Sequence, residues 1–319
     1  MAIVHENETD TTALAGLSIA VVGYGNQGRS WALNLRDSGF APTVCVRADE
    51  TRAQAGDEGF ETAEIQDAAS ADIVCLLVPD DAIPALPIDY RPQTTVLVAS
   101  GYTPAFDRLT VAGDIAMVAP RMLGSEVRAC YLDGTGFVTA IGVEQDNTGS
   151  ARERMLAVAA AIGGLRRGGI EMTAMQEAVL DLSVEQLLSP ALTHVSQAFV
   201  TVMLEQGIPL EAVLCELYLS GEVERNYRLL REEGFVAQLD RHSPTSQYGQ
   251  LSRRGRYDHL DLAETMRALA EEITSGKFAD EWDGERDAGH PGLAQLREVH
   301  ASAEQAEFEQ SVREAFEPG

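Results

Sequence analysis

A glycine-rich stretch, Gly23-Tyr24-Gly25-Asn26-Gln27-Gly28, directly follows the apolar run LSIAVV and opens RSWALNLRDSG, which has the apolar spacing of a helix. Strand, GxGxxG and helix in that order suit a dinucleotide pyrophosphate. Gly23 permits the tight turn, Gly25 lets the backbone approach the phosphates, and Gly28 lets helix and strand pack closely; the helix N-terminus adds amide donors and a positive dipole end. The next apolar run, TVCV, ends at Arg47-Ala48-Asp49-Glu50, where the adenosine ribose of such a cofactor belongs. A carboxylate there accepts hydrogen bonds from both ribose hydroxyls and repels a 2′-phosphate, so Asp49 favours NAD over NADP. Arg47 and Arg52 are the cations that could reverse the preference, and a solvated loop is the competing reading of Asp49 and Glu50.

A second kind of chemistry lies in LDLSVEQ, where Asp181 and Glu185 stand at i and i+4. On a helix they share one face about one turn apart, and converging carboxylates suit a hard cation with oxygen ligands. Taken alone, such a pair is more often a solvated acidic face.

The elements that must position these groups change character along the chain. From Leu17 to about Ile141, short β-branched runs (LSIAVV, TVCV, DIVCLLVP, TTVLVAS, IAMVAP, TAIGV) alternate with helical stretches, the pattern of a parallel sheet covered on both faces. Ile162–Glu171, with four glycines and two arginines, interrupts the periodicity. Residues 1–170 therefore read as an α/β dinucleotide-binding domain. Residues 171–319 read as an all-helical domain without strand signals.

Composition excludes several function classes. The 319 residues carry 24 Lys+Arg against 50 Asp+Glu, a net charge of −26. Such a surface repels phosphate backbones and anionic membranes and attracts metal ions or cationic groups. The single lysine, Lys277, reads as compositional bias. Cys45, Cys75, Cys130 and Cys215 lack CxxC spacing and read as reduced thiols. The first 16 residues lack the cationic start and apolar stretch of a secretory signal, and no run approaches the roughly 20 apolar residues of a membrane span. A cytoplasmic protein is expected. His194, His242, His259 and His290 have no metal-ligand spacing.

Together with these motifs, the blocks VVGYGNQGRSWALNLRDSGF, ADIVCLLVPDD, MVAPRMLGSEVR, VEQDNTGSARERMLAVAAAIGG, LDLSVEQ, SPTSQYG, EEITSGKFADEW and HPGLAQLRE resemble the short class of ketol-acid reductoisomerases over almost the entire length. The resemblance implies a Rossmann-like domain, a knotted all-α domain, two Mg2+ ions between them, and a homodimer whose active sites take residues from both subunits. It implies hydride transfer from a nicotinamide coupled to an alkyl shift on a small 2-hydroxy-3-keto acid. Asp181 matches the family's bridging aspartate, Glu185 its first-metal glutamate, and Glu216 the first member of the second-metal glutamate pair. The second member falls on Ser220, with Glu222 and Glu224 nearby but out of register. Ser243 matches a serine that contacts substrate across the subunit boundary; His242 stands beside it.

Two departures lie closest to the chemistry. A family His-Gly pair is here Ser100-Gly101, and a lysine followed by Gly-Pro-Gly-His is here Arg121-Met122-Leu123-Gly124-Ser125. A lysine that can share its proton has become an arginine that cannot. The expected machinery is thus Asp181, Glu185, Arg121, Ser100 and Ser243. Its expected activity is a redox-neutral cyclopropanol formation from a sulfonium dihydroxy acid, as in remodelled relatives of the family. The alternatives are an ordinary reductoisomerase of branched-chain amino-acid biosynthesis and a catalytically dead NAD-binding scaffold.

Overall fold

Runs such as Ile19–Val22, Ile73–Leu76 and Thr95–Val98 are buried at every residue, because both faces of the sheet they form are covered. The computed structural model describes residues 3–300 and 303–316 and divides into two compact units, Met1–Asp181 and Leu182–Gly319.

Among its described residues the first unit holds nine strands: β1 (Ile3–Val4), β2 (Ile19–Val22), β3 (Thr43–Cys45), β4 (Thr62–Ala63), β5 (Ile73–Leu76), β6 (Thr95–Val98), β7 (Asp114–Pro120), β8 (Thr139–Gln145) and β9 (Gly169–Glu171). They lie in the order β1-β9-β8-β7-β6-β5-β2-β3-β4. From β4 to β7 every pairing is parallel. The expectation of a wholly parallel sheet is corrected beyond that point: β8 runs antiparallel to β7, and β1 antiparallel to β9. Neither β1 nor β9 was legible, since two or three residues carry no period. β9 arises at the end of the glycine-rich interruption, held between β8 and β1.

Alternate residues feed two cores. Ile19 and Val21 pack with Trp31 and Leu35 of α1 (Asn26–Asp37) and Met155 of α5 (Ala151–Ala161). Ala20 and Val22 join Val74, Leu76 and Ile83 on the other side. The remaining helices of this unit are α2 (Glu50–Asp57), α3 (Tyr102–Ala105), α4 (Gly124–Leu132) and α6 (Ala174–Ser183), the last running to the unit boundary. Asp114, fully buried at the start of β7, is held by Thr95, Thr148 and the backbone of Asn147 and Thr148 at 2.7–2.9 Å. Four donors offset the cost of burying its charge and fix the loop that leads into α5.

The regular elements among the described residues of the second unit are all helical: α7 (Ser189–Glu205), α8 (Leu210–Leu214), α9 (Glu222–Ala237), α10 (Pro244–Arg253), α11 (Leu262–Thr274), α12 (Lys277–Asp287), α13 (Pro291–His300) and α14 (Ala303–Phe316). Two turns, Val184–Leu188 and Cys215–Leu219, are π-helical. Such widened turns frequently mark functional positions.

Helix Ala174–Glu205 contains an 18-residue window of mean hydropathy 1.4 with none of it buried, long and apolar enough to cross a membrane by length and composition. The sequence reading counted only uninterrupted apolar runs and missed it. The exposed large apolar residues nevertheless form a stripe. Leu188, Leu192, Val195, Phe199 and Val202 recur at alternating spacings of four and three and are each 41–58% exposed, while the polar Thr193, His194, Ser196, Gln197 and Thr201 lie between them together with the apolar Ala191, Ala198 and Val200. A single stripe of that period suits a facing helix; a membrane span is apolar all round.

Candidate functional site

The carboxyl ends of parallel strands are where open α/β sheets bind ligands, and five of them, β2, β3, β5, β6 and β7, carry the groups of interest. After β2, Gly23 takes φ +96°, and a Cβ there would lie 2.6 Å from the Leu77 carbonyl oxygen. A Cβ on Gly28 would lie 2.2 Å from the Gly23 oxygen. These two glycines are demanded by the fold itself. Gly25 differs: nothing stands within 4 Å of where its Cβ would be, and it caps the N-terminus of α1. It opens a cradle that a bound pyrophosphate would occupy. Asn26 and Gln27 form the first turn of α1, where Gln27 accepts a hydrogen bond from Trp31 Nε1 at 3.1 Å. Tyr24 donates to Glu58 at 2.8 Å, and Glu58 also pairs with Arg29 at 2.9 Å. Burial and that bond push the Tyr24 phenol up.

The cleft beside the loop is lined by Gly23, Tyr24, Gly25, Arg47, Asp49 and Thr51, among others. Asp49 caps α2 by accepting from the Thr51 amide at 3.0 Å and lies 3.6 Å from Arg47 Nε. Arg47 itself is 83% exposed along its side chain. Arg52 turns away from the cleft: Nη1 donates to Glu64 at 2.6 Å and Nη2 to the carbonyls of Val46 and Ala63. One of the two arginines that could meet a 2′-phosphate is thereby committed to the fold.

At the far side of the strand ends, Arg121 follows β7 and reaches two carboxylates of α6. Nη1 donates to Glu177 Oε1 at 2.5 Å and Nη2 to Asp181 Oδ1 at 2.6 Å. The other Glu177 oxygen accepts from the Gly101 amide at 2.6 Å. Glu177 is 1% exposed, and burial holds its carboxyl above the usual carboxylate range despite Arg121 and the Gly101 amide. Gly101 is obligatory here, since a Cβ would come within 2.3 Å of the Ala174 oxygen. Ser100 Oγ accepts from the Tyr102 amide at 3.1 Å and interacts with Asp80, which follows β5. Burial first, then the charges of Glu177, Asp181 and Asp81, raise the Asp80 carboxyl to about 7, with the Ser100 hydroxyl opposing.

Sequence reasoning named Arg121, Ser100 and Asp181 but missed Glu177 and Asp80. Glu177 had a signal, its i−4 relation to Asp181 on one helical face. Asp80 had only its place after a strand. In the second unit, Glu185 and Glu216 each stand in one of the two π-helical turns, exposed, and Ser220 caps the second turn. Glu222 and Glu224 open α9 and are exposed. Ser243 is the N-cap of α10, its Oγ accepting from the Ser246 amide at 3.3 Å, and His242 Nε2 lies 3.0 Å from Gln238 Oε1. Among the described residues no three His, Cys, Asp or Glu side chains are grouped as a metal site.

Residues 13–168 match the NADPH-binding domain of acetohydroxy acid isomeroreductase, and residues 175–317 match the C-terminal domain of ketol-acid reductoisomerase. The chain is 36% identical over 304 residues to the ketol-acid reductoisomerase (NADP(+)) of Caldivirga maquilingensis, covering 92% of each chain. It is 34% identical to the ketol-acid reductoisomerase (NAD(P)(+)) of Metallosphaera sedula, covering 95% of this chain and 93% of that one. The solved structure of an NADH-preferring ketol-acid reductoisomerase from an uncultured archean superposes with a TM-score of 0.92 at 29% identity, over the whole of both chains. Matches that run through both units and their full length settle the kinship: the chain belongs to the ketol-acid reductoisomerase family.

Proposed function

We propose that the chain catalyses a ketol-acid reductoisomerase reaction, an alkyl shift on a small 2-hydroxy-3-keto acid followed by hydride transfer from NADH to give a 2,3-dihydroxy acid and NAD+. The observation that carries this is the placement of the glycine loop and the Arg121–Glu177–Asp181 group at the carboxyl ends of strands in one sheet. Gly23, Gly25 and Gly28 with the α1 N-terminus would hold the pyrophosphate, and Asp49 the adenosine ribose in preference to a 2′-phosphate. Asp181 and Glu185, with Glu216 as a further donor, offer oxygen ligands of the kind Mg2+ takes. Bound there, the ion would polarise a ketone or hydroxyl oxygen. Arg121 keeps its charge throughout, so the proton that accompanies reduction needs another carrier. Asp80, titrating near neutrality beside the Ser100 hydroxyl, is suited to hold and give it.

The same reading includes a homodimer, supported by the α7 stripe left exposed in a single chain, with Ser243 meeting substrate there and no nucleic-acid or membrane partner. Free Cys45, Cys75, Cys130 and Cys215 fit the reducing cytoplasm.

The relatives favour the ordinary reaction over the cyclopropanol-forming one expected from the sequence, since those compared bear the reductoisomerase name. One observation keeps the second reading: Arg121, which the sequence matches to the family's lysine, is held by Glu177 and Asp181. In that reaction the C2 hydride goes to NAD+, C3 loses its proton, C3 displaces a neutral sulfide from C5, and the hydride returns. To test both, the protein is given 2-acetolactate with NADH and Mg2+, and separately a 2,3-dihydroxy-5-sulfonio acid with Mg2+ and a trace of NAD+. Dihydroxy acid formed in the first arm supports the proposal. Sulfide release in the second arm with none of that product would replace it with the ring-forming reading, and silence in both would favour the scaffold.

A further inference from the structure

A second cavity of the first unit opens between β8, α5 and the joint from β9 to α6. It measures about 380 Å3 and shares no lining residue with the cofactor cleft. That size lies at the lower end for sites of small organic ligands. Ile141 and Met155, each no more than 1% exposed, and the half-buried Val143 and Met172 give it an apolar lining. Its charged lining residues are Arg152 and Glu171, paired through Nη2 and Oε1 with side chains 55% and 36% exposed.

Contacts that leave this pair alone fix the walls. Met172 donates its amide to the Ile141 carbonyl at 3.0 Å, continuing the β8–β9 ladder. Gly142 is obligatory, since a Cβ there would lie 2.2 Å from the Met172 oxygen. Glu144 Oε1 accepts from the Ala174 amide at 2.6 Å, and Thr173 and Gln176 each accept from the other's amide through their side chains at 3.0–3.1 Å. Arg152 and Glu171 are thus the charges left to meet a ligand. An ion pair this exposed contributes little to stability, so its members can exchange each other for a ligand's charges at small cost. A bare carboxylate would gain Arg152 and face Glu171; a bare amine would gain Glu171 and face Arg152. A group that carries both charges on neighbouring atoms satisfies both residues. An aliphatic chain attached to it would displace water from the apolar lining.

We propose that this cavity binds a zwitterionic α-amino acid with an aliphatic side chain, its carboxylate on Arg152, its ammonium on Glu171 and its side chain against Ile141, Val143, Met155 and Met172. The site is independent of which reaction the chain performs. An occupant would nevertheless bear on Thr173 and Gln176, immediately before the Glu177 that holds Arg121 and the Gly101 amide. Calorimetry on the NADH-loaded full chain tests the proposal with L-leucine, glycine, 4-methylpentanoate and 3-methylbutylamine, which separate the aliphatic chain from each charge. L-Leucine is expected to bind with a dissociation constant below about 10 mM, and each of the other three at least ~10-fold more weakly. Arg152→Met with Glu171→Gln, which removes both charges and keeps most of the side-chain volume, should weaken L-leucine at least ~10-fold while NADH affinity, the sign of a folded chain, is unchanged. No L-leucine binding at about 10 mM, any of the three partial compounds binding as tightly as L-leucine, or undiminished L-leucine affinity in the folded double variant would each overturn the proposal. The ligand series on the wild type decides the matter by itself if the variant does not fold.

Discussion

Every residue of β2, β5 and β6 in the first unit is buried, whereas α7, with seventeen residues in the second, buries none. The first unit completes its two cores within one chain and fixes its glycine loop by the close backbone approaches at Gly23 and Gly28. The second unit displays Leu192, Val195, Phe199 and Val202 to solvent, apolar area of a kind that lowers free energy only when covered. The nucleotide-binding unit is thus complete within one chain, while the helical unit leaves an apolar stripe exposed, which the proposed homodimer would cover.

The sharpest way to break that contrast is to charge the stripe. Val195→Asp with Phe199→Glu should weaken self-association at least ~100-fold, about 2.7 kcal/mol, and remove turnover with it. Sedimentation velocity at micromolar concentration reads the outcome. A wild type that sediments as a monomer would end the contrast outright.

A smaller effect is expected on the side that is complete in one chain. NADH should bind at least ~10-fold tighter than NADPH, about 1.4 kcal/mol, because Asp49 lies in the cleft and Arg52 is tied to Glu64 and the backbone. Asp49→Asn should bring the two affinities together by calorimetry. Equal affinities in the wild type would return Arg47 to a phosphate-binding role.

The smallest effect concerns Asp80. Its carboxyl is raised to about 7 in the fold, well above the ordinary carboxylate range of about 4, so the native state holds a proton that the unfolded chain has released between those values. Stability from this group is therefore lost as pH climbs from about 4 to 7, and the ionised form is penalised above 7. Metal-free Asp80→Asn should match the wild type near pH 4 and exceed its melting temperature by roughly 2–4 °C at pH 8, the equivalent of about 1 kcal/mol. A constant difference across that range would remove the buried carboxyl from the account.

Legibility follows the same division. The glycine loop and the strands around it could be read because each glycine answers a local steric demand, and doubly buried strands write themselves as unbroken apolar runs. Antiparallel β8 could not be distinguished from a parallel neighbour, since direction leaves no mark on a buried strand. Arg121 was readable as a replaced lysine. Its hold on Glu177 was not, because that contact joins residues 56 apart. The π-helical turns at Glu185 and Glu216 were also invisible, as an i, i+4 pattern does not report the extra residue that widens a turn. For the helical unit the sequence shows apolar residues at helical spacing but carries no mark of whether that face is exposed in one chain, as Leu192, Val195, Phe199 and Val202 are.

The most direct measurement follows the hydride itself. The protein, Mg2+ and 2-acetolactate are incubated with NADH deuterated at the nicotinamide C4, and the dihydroxy acid is examined by mass spectrometry. One deuterium per product molecule, formed by the wild type and lost in Asp181→Ala, is the predicted result. Product without deuterium, or unchanged turnover in Asp181→Ala, would contradict the account.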